Sequence, residues 1–279
     1  MEQCLLNWFV HSGELRRSSD FHQELFLSDV AVYEVLRIVD GKPLFFDDHL
    51  KRLIHSMKLA GLGAVSDTKF LCEAVRLLIE ANQADTGNIK MHIGRRHPNA
   101  SPVLTTWLIP YAYPTADMYA KGVKVSLFRY ERPQPNAKIV NNKLKQSYAE
   151  QMEKDGAYEL LLHHNGFITE GSRSNVFFIV DGVLHTAPDE MVLKGITRHK
   201  ILEIIAKEHI PIVFEPLEIK MLNKVQGAFI CGTSPKVLPV SSIDDTFHFS
   251  PHNDLINIII MHYDRCIQHD IASFSWKSC

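Results

Sequence analysis

Three dipeptides, Asp40-Gly41, Asn165-Gly166 and Asp181-Gly182, each stand between short runs rich in apolar and β-branched residues. Asp-Gly and Asn-Gly accept the positive φ angles at both central positions of a two-residue hairpin turn, so each marks a reversal between antiparallel strands. The first turn is flanked by Tyr33 to Val39 and Lys42 to Phe46. The other two fall within Tyr158 to His163, Phe167 to Thr169, Val176 to Val180 and Val183 to Thr186, a succession that reads as an antiparallel meander. Antiparallel sheet is therefore expected in both halves of the chain.

Helical periods separate these strands. Asp47 or Asp48 can cap a helix in which Leu50, Leu53, Ile54 and Met57 recur on one face, ending near Gly61. A second helix over Thr68 to Asn82 turns Phe70, Leu71, Val75, Leu78 and Ile79 inward, and strands at Ile89 to Gly94 and Val103 to Pro110 close the region. Pro110 and Pro114, with no apolar period around them, then mark a linker at 113–118. The expectation is two α+β domains, 1–112 and 119–279, the second built on a twisted sheet or pseudo-barrel. Its elements are a strand from Gly122 to Tyr130, helices over Asn141 to Asp155 and from Gly195 to about His209, and strands Ala228 to Cys231 and Val237 to Val240.

Composition excludes several classes of function. With 30 Lys+Arg against 32 Asp+Glu the net charge is -2, and the cluster Lys138, Lys143, Lys145 is too short to neutralise a nucleic-acid backbone. No apolar run is long enough to span a membrane, and the first residues lack a secretory pattern. The five cysteines are odd in number and scattered, which argues against a disulfide framework and fits a reducing cytoplasm. No metal site is expected: His163 and His164 are neighbours in a strand and point to opposite faces. A soluble, cytoplasmic protein acting on small molecules is the expectation.

Three polar fragments interrupt the apolar pattern. Gly195-Ile196-Thr197 heads a helix whose first N–H groups can receive an anion or water. Gly232-Thr233-Ser234 can bring backbone amides and hydroxyls to a ligand, or serve as a plain turn. Glu170 precedes the polar run Gly171 to Asn175, by default a surface loop.

Together, Lys138-Ile-Val-Asn141, Thr169-Glu170-Gly171-Ser172-Arg173-Ser174-Asn175 and Leu193-Lys194-Gly195-Ile196-Thr197-Arg198 resemble the signatures of class IV aminotransferases. Lys138 and Glu170 stand 32 residues apart and Glu170 and Gly195 25 apart, as in that family, and Tyr33-Glu34-Val35 with His49-Leu50-Lys51-Arg52-Leu53 extends the likeness into the first half. The resemblance implies the two-domain, fold type IV architecture of D-amino-acid aminotransferase-like enzymes. It also implies pyridoxal 5′-phosphate (PLP) as cofactor, an amino acid and a 2-oxo acid as substrates, and a homodimer.

The same resemblance assigns roles. Lys138, rather than Lys143 or Lys145, would form the Schiff base with the cofactor aldehyde and carry protons. Glu170 would face the pyridine nitrogen, and Leu193 would pack on the ring. Arg52, Ile196, Thr197 and Thr233 would hold the phosphate. Tyr33, Arg95, His97 and Ser234 fall at substrate-binding positions. The family's glycine-aspartate-glycine turn before Tyr33 is replaced by Ser28-Asp29-Val30-Ala31-Val32, so substrate choice stays open. An aminodeoxychorismate lyase, releasing pyruvate and 4-aminobenzoate with the same Lys138, Glu170 and Arg52, is the alternative activity.

Overall fold

The computed structural model describes residues 2–63 and 68–276, so Cys279 lies outside it. The chain forms two units: Met1–Ala112 with Ala137–Val140 and Ile267–Cys279, and Tyr113–Asn136 with Asn141–Cys266. A contiguous division at 113–118 assigns both later segments to the second unit. The structure gives them to the first.

In the first unit β1 (Trp8–His11), β2 (Glu14–Arg17), β3 (Val30–Val39), β4 (Lys42–Pro43), β5 (Gly87–Arg95) and β6 (Val103–Ile109) form an antiparallel sheet ordered β2-β1-β6-β5-β3-β4. Asp40 and Gly41 turn between β3 and β4 with φ of 50° and 71°. Strand pairing stops at Pro43, earlier than the expected Phe46, because Phe45 adopts a left-handed conformation and α1 (Phe46–Leu59) begins directly after it. Asp47 and Asp48 are therefore not caps. They sit in the first turn, where negative charge suits the helix dipole.

Leu50, Leu53 and Met57 of α1 join Leu71, Val75 and Leu78 of α2 (Lys69–Asn82) in one core with Val32, Leu36, Ile89, Met91 and Ile93 from the sheet. Phe70, expected inward, is 45% exposed, and its neighbour Leu71 takes the buried position. The opposite face of the sheet is also covered. There Phe21 and Phe26 pack with Trp107 at centroid distances of 5.4 and 4.8 Å, and Phe26 meets His92 edge-on.

The second unit contains α3 (Ala116–Lys121), β7 (Val123–Arg129), α4 (Asn142–Asp155), β8 (Glu159–His164), β9 (Phe167–Gly171), β10 (Asn175–Val180), β11 (Val183–Thr186) and α5 (Ile196–Lys207). After them come β12 (Ile212–Phe214), β13 (Leu217–Glu218), β14 (Val225–Gly232), β15 (Lys236–Ile243), β16 (Phe247–His248) and α6 (Asp254–Ser273), of which Ile267 onward belongs to the first unit. α3 begins inside the expected linker, capped by the Thr115 side chain accepting from the Met118 N–H. No element was expected beyond Val240, so α6 is an addition.

The expected meander breaks in the middle. The β8–β9 and β10–β11 hairpins form, yet β10 takes β14 as its partner, and the sheet runs β12-β11-β10-β14-β15-β7-β8-β9-β13. Only Ser172, Arg173 and Ser174 separate β9 from β10 in the chain, so strands five places apart in the sheet are tied together at one end. A sheet so constrained must curl, bringing the ends of β9 and β10 together.

Burial, with Lys90 adding to it, holds the His92 imidazole neutral down to about 4. In the unfolded chain the group protonates below about 6.5, so the unfolded state binds the extra proton between these values and stability falls as pH drops through that window. His92→Gln is expected to flatten the stability profile there by up to about 1.4 kcal/mol per pH unit. Chemical denaturation at pH 7, 6, 5 and 4.5 checks this, and an unchanged slope in the variant contradicts it.

Candidate active site

On α1, His49, Arg52 and Ser56 recur at the spacing that puts side chains on one helix face, and all three are buried. They meet Glu34 of β3, which has no exposed surface. Arg52 donates from Nε to Glu34 Oε1 and from Nη2 to Oε2, both at 2.7 Å, and His49 Nδ1 lies 2.8 Å from Oε2. Burial pushes the Glu34 carboxyl up, but Arg52 and His49 together hold it far below the usual carboxylate range. Burial outweighs Glu34 at His49 and lowers its pKa, so the ring is neutral and donates its Nδ1 hydrogen.

The same helix face positions Lys138. Ser56 Oγ accepts from the Lys138 N–H at 3.2 Å, the Lys138 carbonyl accepts from the Tyr33 N–H at 3.0 Å, and the Val140 N–H donates to the Ala31 carbonyl. Residues 137–140 thus lie against β3, with Val32 and Ile139 bridged. Lys138 Nζ sits 5.0 Å from the centre of the Tyr33 ring, and Lys90 Nζ stands at the same distance from that ring. Lys90 also pairs with Glu2 at 2.5 Å.

Arg95 and His97 are not drawn into this group by any contact described. Tyr33 pairs with His92, and Arg95 ends β5 opposite Val30, about 10 Å further along the sheet. Strand alternation sends Arg95 to the other face from Tyr33, whereas Lys90 and His92 share the Tyr33 face. His97 is exposed in the following loop.

In the second unit Glu170 is buried on β9. Its Oε1 accepts from Arg132 Nε at 2.8 Å and its Oε2 from the Leu193 N–H at 3.0 Å. Tyr148 of α4 is 6% exposed, and its hydroxyl has no hydrogen-bond partner among the described residues. Burial pushes that hydroxyl's pKa up, with Arg132 acting against it and Glu170 and Glu159 adding to it.

The run Gly171 to Asn175 is mostly buried, with Arg173 alone exposed, so the default of a surface loop does not hold. Asn175 lies opposite Cys231 of β14, and its Nδ2 donates to the Leu193 carbonyl at 3.0 Å. A Cβ on Gly195 would overlap Asn175 Oδ1, so glycine lets the entry to α5 approach β10 this closely. No side chain caps α5, whose first turn carries Ile196 and Thr197. Thr233 and Ser234 occupy the half-buried turn joining β14 to β15.

Chemically, the first unit holds a primary amine and a buried guanidinium on one scaffold. The second holds a buried carboxylate, an uncapped helix N-terminus flanked by hydroxyls, and an orphaned phenol. An amine for an aldehyde, a carboxylate for a ring nitrogen and cationic or N–H donors for a phosphate are the donor classes that PLP requires, so the residues fit it. Glu34, His49, Ser56, Arg132 and Tyr148 carried no assigned role in the sequence. The pair His49-x-x-Arg52 was the available signal for the first two.

The sequence pattern of the family described as amino-transferase class IV matches residues 31–243. The chain belongs to that family, and it is an aminotransferase-class enzyme of the fold type IV architecture. Among curated relatives, the D-alanine aminotransferase of Staphylococcus aureus (strain N315) is 29% identical over 258 residues, covering 88% of this chain and 90% of that one. The probable branched-chain-amino-acid aminotransferase of Rickettsia bellii is 29% identical over 225 residues, 77% of this chain and 78% of its own.

Solved structures agree in fold. The branched-chain amino acid aminotransferase of Escherichia coli superposes with a TM-score of 0.84 at 22% identity, covering 97% of this chain and 98% of that one. A hypothetical aminotransferase from Mycobacterium tuberculosis in a PLP-bound form gives 0.80 at 19% identity, with 94% and 99% covered. A putative 4-amino-4-deoxychorismate lyase from Legionella pneumophila gives 0.77 at 20%, with 87% and 93% covered.

Because the Glu34 pKa is depressed in the fold, its stabilisation is fully present above the ordinary carboxylate value of about 4.3 and is lost as pH falls toward the folded value. Glu34→Gln is expected to lower unfolding free energy by about 3 kcal/mol or more at neutral pH, since it strands the Arg52 charge. The double change Glu34→Leu with Arg52→Met should recover much of that loss. Denaturant midpoints measure both, and a single variant within about 1 kcal/mol of wild type would show that the Glu34–Arg52 pair does not stabilise the fold.

Proposed function

We propose that this chain transfers an amino group between an amino acid and a 2-oxo acid with PLP bound to its own residues. The observation that carries the reading is Lys138, fixed on both sides by backbone hydrogen bonds and by Ser56, within a segment that matches the class IV aminotransferases. When bound, PLP supplies an electron sink for the pair left at the substrate Cα. Lys138 Nζ is the base that takes the Cα proton and returns it on the opposite leg of the reaction. Glu170, oriented by Arg132 and the Leu193 N–H, keeps a hydrogen on the pyridine nitrogen.

Arg52, the Ile196 and Thr197 N–H groups, the Thr197 hydroxyl and Thr233 hold the phosphate. Leu193 covers the ring. Tyr33 and Ser234 contact substrate, and its carboxylate is taken by a cation of the first sheet: Arg95 with His97 at the end of β5, or Lys90 on the Tyr33 face. D-alanine or a branched-chain amino acid is the substrate type, supported by the activities named for the relatives. A homodimer is supported by family likeness. A cytoplasmic setting is supported by the odd number and wide scatter of the five cysteines. Among the described residues no helix is long and apolar enough to cross a membrane.

The test is a single-turnover panel. Loaded enzyme mixed with individual D- and L-amino acids, without any oxo acid, should lose its visible absorption and release one equivalent of oxo acid. Borohydride reduction before peptide mapping should label Lys138, and Glu170→Gln should retain cofactor but lose most turnover. The likeness to the lyase structure keeps one second activity in view. Catalytic release of pyruvate from aminodeoxychorismate, with no amino acid able to bleach the enzyme, would install it instead.

The carboxylate assignment separates on KM. Lys90→Met and Arg95→Ala are compared for the best amino acid of the panel, and the residue that binds the carboxylate should raise KM severalfold with little change in the cofactor spectrum. Unchanged KM in both variants removes both residues from that role.

A further inference from the structure

We infer that consecutive residues of α6, Tyr263 and Asp264, brace the two segments assigned above to the phosphate, and that Tyr263 sets the direction in which the Thr197 hydroxyl donates; this rests on the reading of Thr197 and Thr233 as phosphate ligands. α6 lies beyond residue 243, where the family match ends. Tyr263 is 2% exposed, and its hydroxyl lies 3.2 Å from Thr197 Oγ1 at the start of α5. The next residue, Asp264, accepts from Lys236 Nζ at 2.8 Å. Lys236 has a left-handed φ of 53° and pairs with Gly232, closing the turn that carries Thr233 and Ser234. The Tyr119 hydroxyl donates to the Pro235 carbonyl at 2.9 Å and braces that turn again.

Successive helical residues point about 100° apart, so one turn of α6 reaches both segments. His262 extends the contact, its Nδ1 lying 3.4 Å from Glu208 just past the end of α5. The direction of the hydroxyl pair follows from proton count. A phosphate dianion only accepts, and a threonine hydroxyl has one hydrogen. Thr197 can donate to the phosphate only while it accepts from Tyr263, which gives the order Tyr263 to Thr197 to phosphate oxygen. Without the phenol, the threonine hydroxyl loses the partner that orients it.

Apoprotein is titrated with PLP and, separately, with pyridoxal, which has no phosphate; inorganic phosphate is then used as a competitor of PLP. Tyr263→Phe keeps the ring and should weaken PLP binding by about five- to tenfold, leave pyridoxal unchanged and weaken the phosphate competition to the same degree. Asp264→Asn should show the same phosphate-selective loss. Thr197→Ser should bind PLP like wild type, and Tyr263→Phe should add nothing in a Thr197→Val background. Equal loss of PLP and pyridoxal in both α6 variants would mean that α6 merely supports the fold and would overturn the inference. Wild type that takes up PLP while both α6 variants bind it equally well overturns this inference alone; wild type that takes up none overturns the cofactor reading and this inference with it.

Discussion

Glu34 holds a full negative charge between a sheet and a helix with no exposed surface, a position that is tolerable only when the charge is surrounded by matched donors. That requirement selects the face of α1 turned toward β3, because Arg52 and His49 have to arrive together. Once they do, Ser56 is carried to the Lys138 N–H one turn further on. The apolar residues Leu50, Leu53 and Met57 would permit small rotations of the helix; the forked Arg52 contact does not. Orientation of the guanidinium and placement of Lys138 are thus outcomes of one buried charge.

The second unit solves a parallel problem by a different device. Two buried carboxylates, Glu159 and Glu170, flank the short connection from β9 to β10. Ser172 donates to Glu159 through its hydroxyl, while Arg132 and the Leu193 N–H serve Glu170. The polar run after Glu170 is there because the interior needs it. Asn175 then binds the Leu193 carbonyl, so the strand that follows the carboxylate also locates the peptide preceding α5.

What could be read from sequence was local. The turn dipeptides adopt positive φ because both residues of each pair suit it, with Asn165 and Gly166 at 50° and 85°, and no distant partner is needed. The helix faces of α1 and α2 were legible for the same reason, except at Phe70, where a neighbouring leucine fills the inward place. The early end of β4 was not, because Phe45 donates its N–H to Asp270, 225 residues away. The pairing of β10 with β14 likewise depends on residues far apart. At the site, motif spacing pointed to Lys138, Glu170 and Thr197. Arg132 and Tyr263 could not be found that way, since their partners lie 38 and 66 residues distant and neither belongs to a recognisable pattern.

The discontinuous make-up of the first unit bears on how this protein is made. Its sheet and first two helices are complete by residue 112, yet Ala137–Val140 and the aromatic pair Phe274 and Trp276, which pack edge-on against Phe46, come later. During synthesis the N-terminal segment leaves the ribosome first and waits with that apolar surface uncovered. The second unit, needing only residues 113–266 without 137–140, is finished sooner than the one that begins the chain. Order of emergence and order of completion are therefore reversed, and a nascent chain of this kind carries its exposed aromatic seat until Phe274 and Trp276 have been translated.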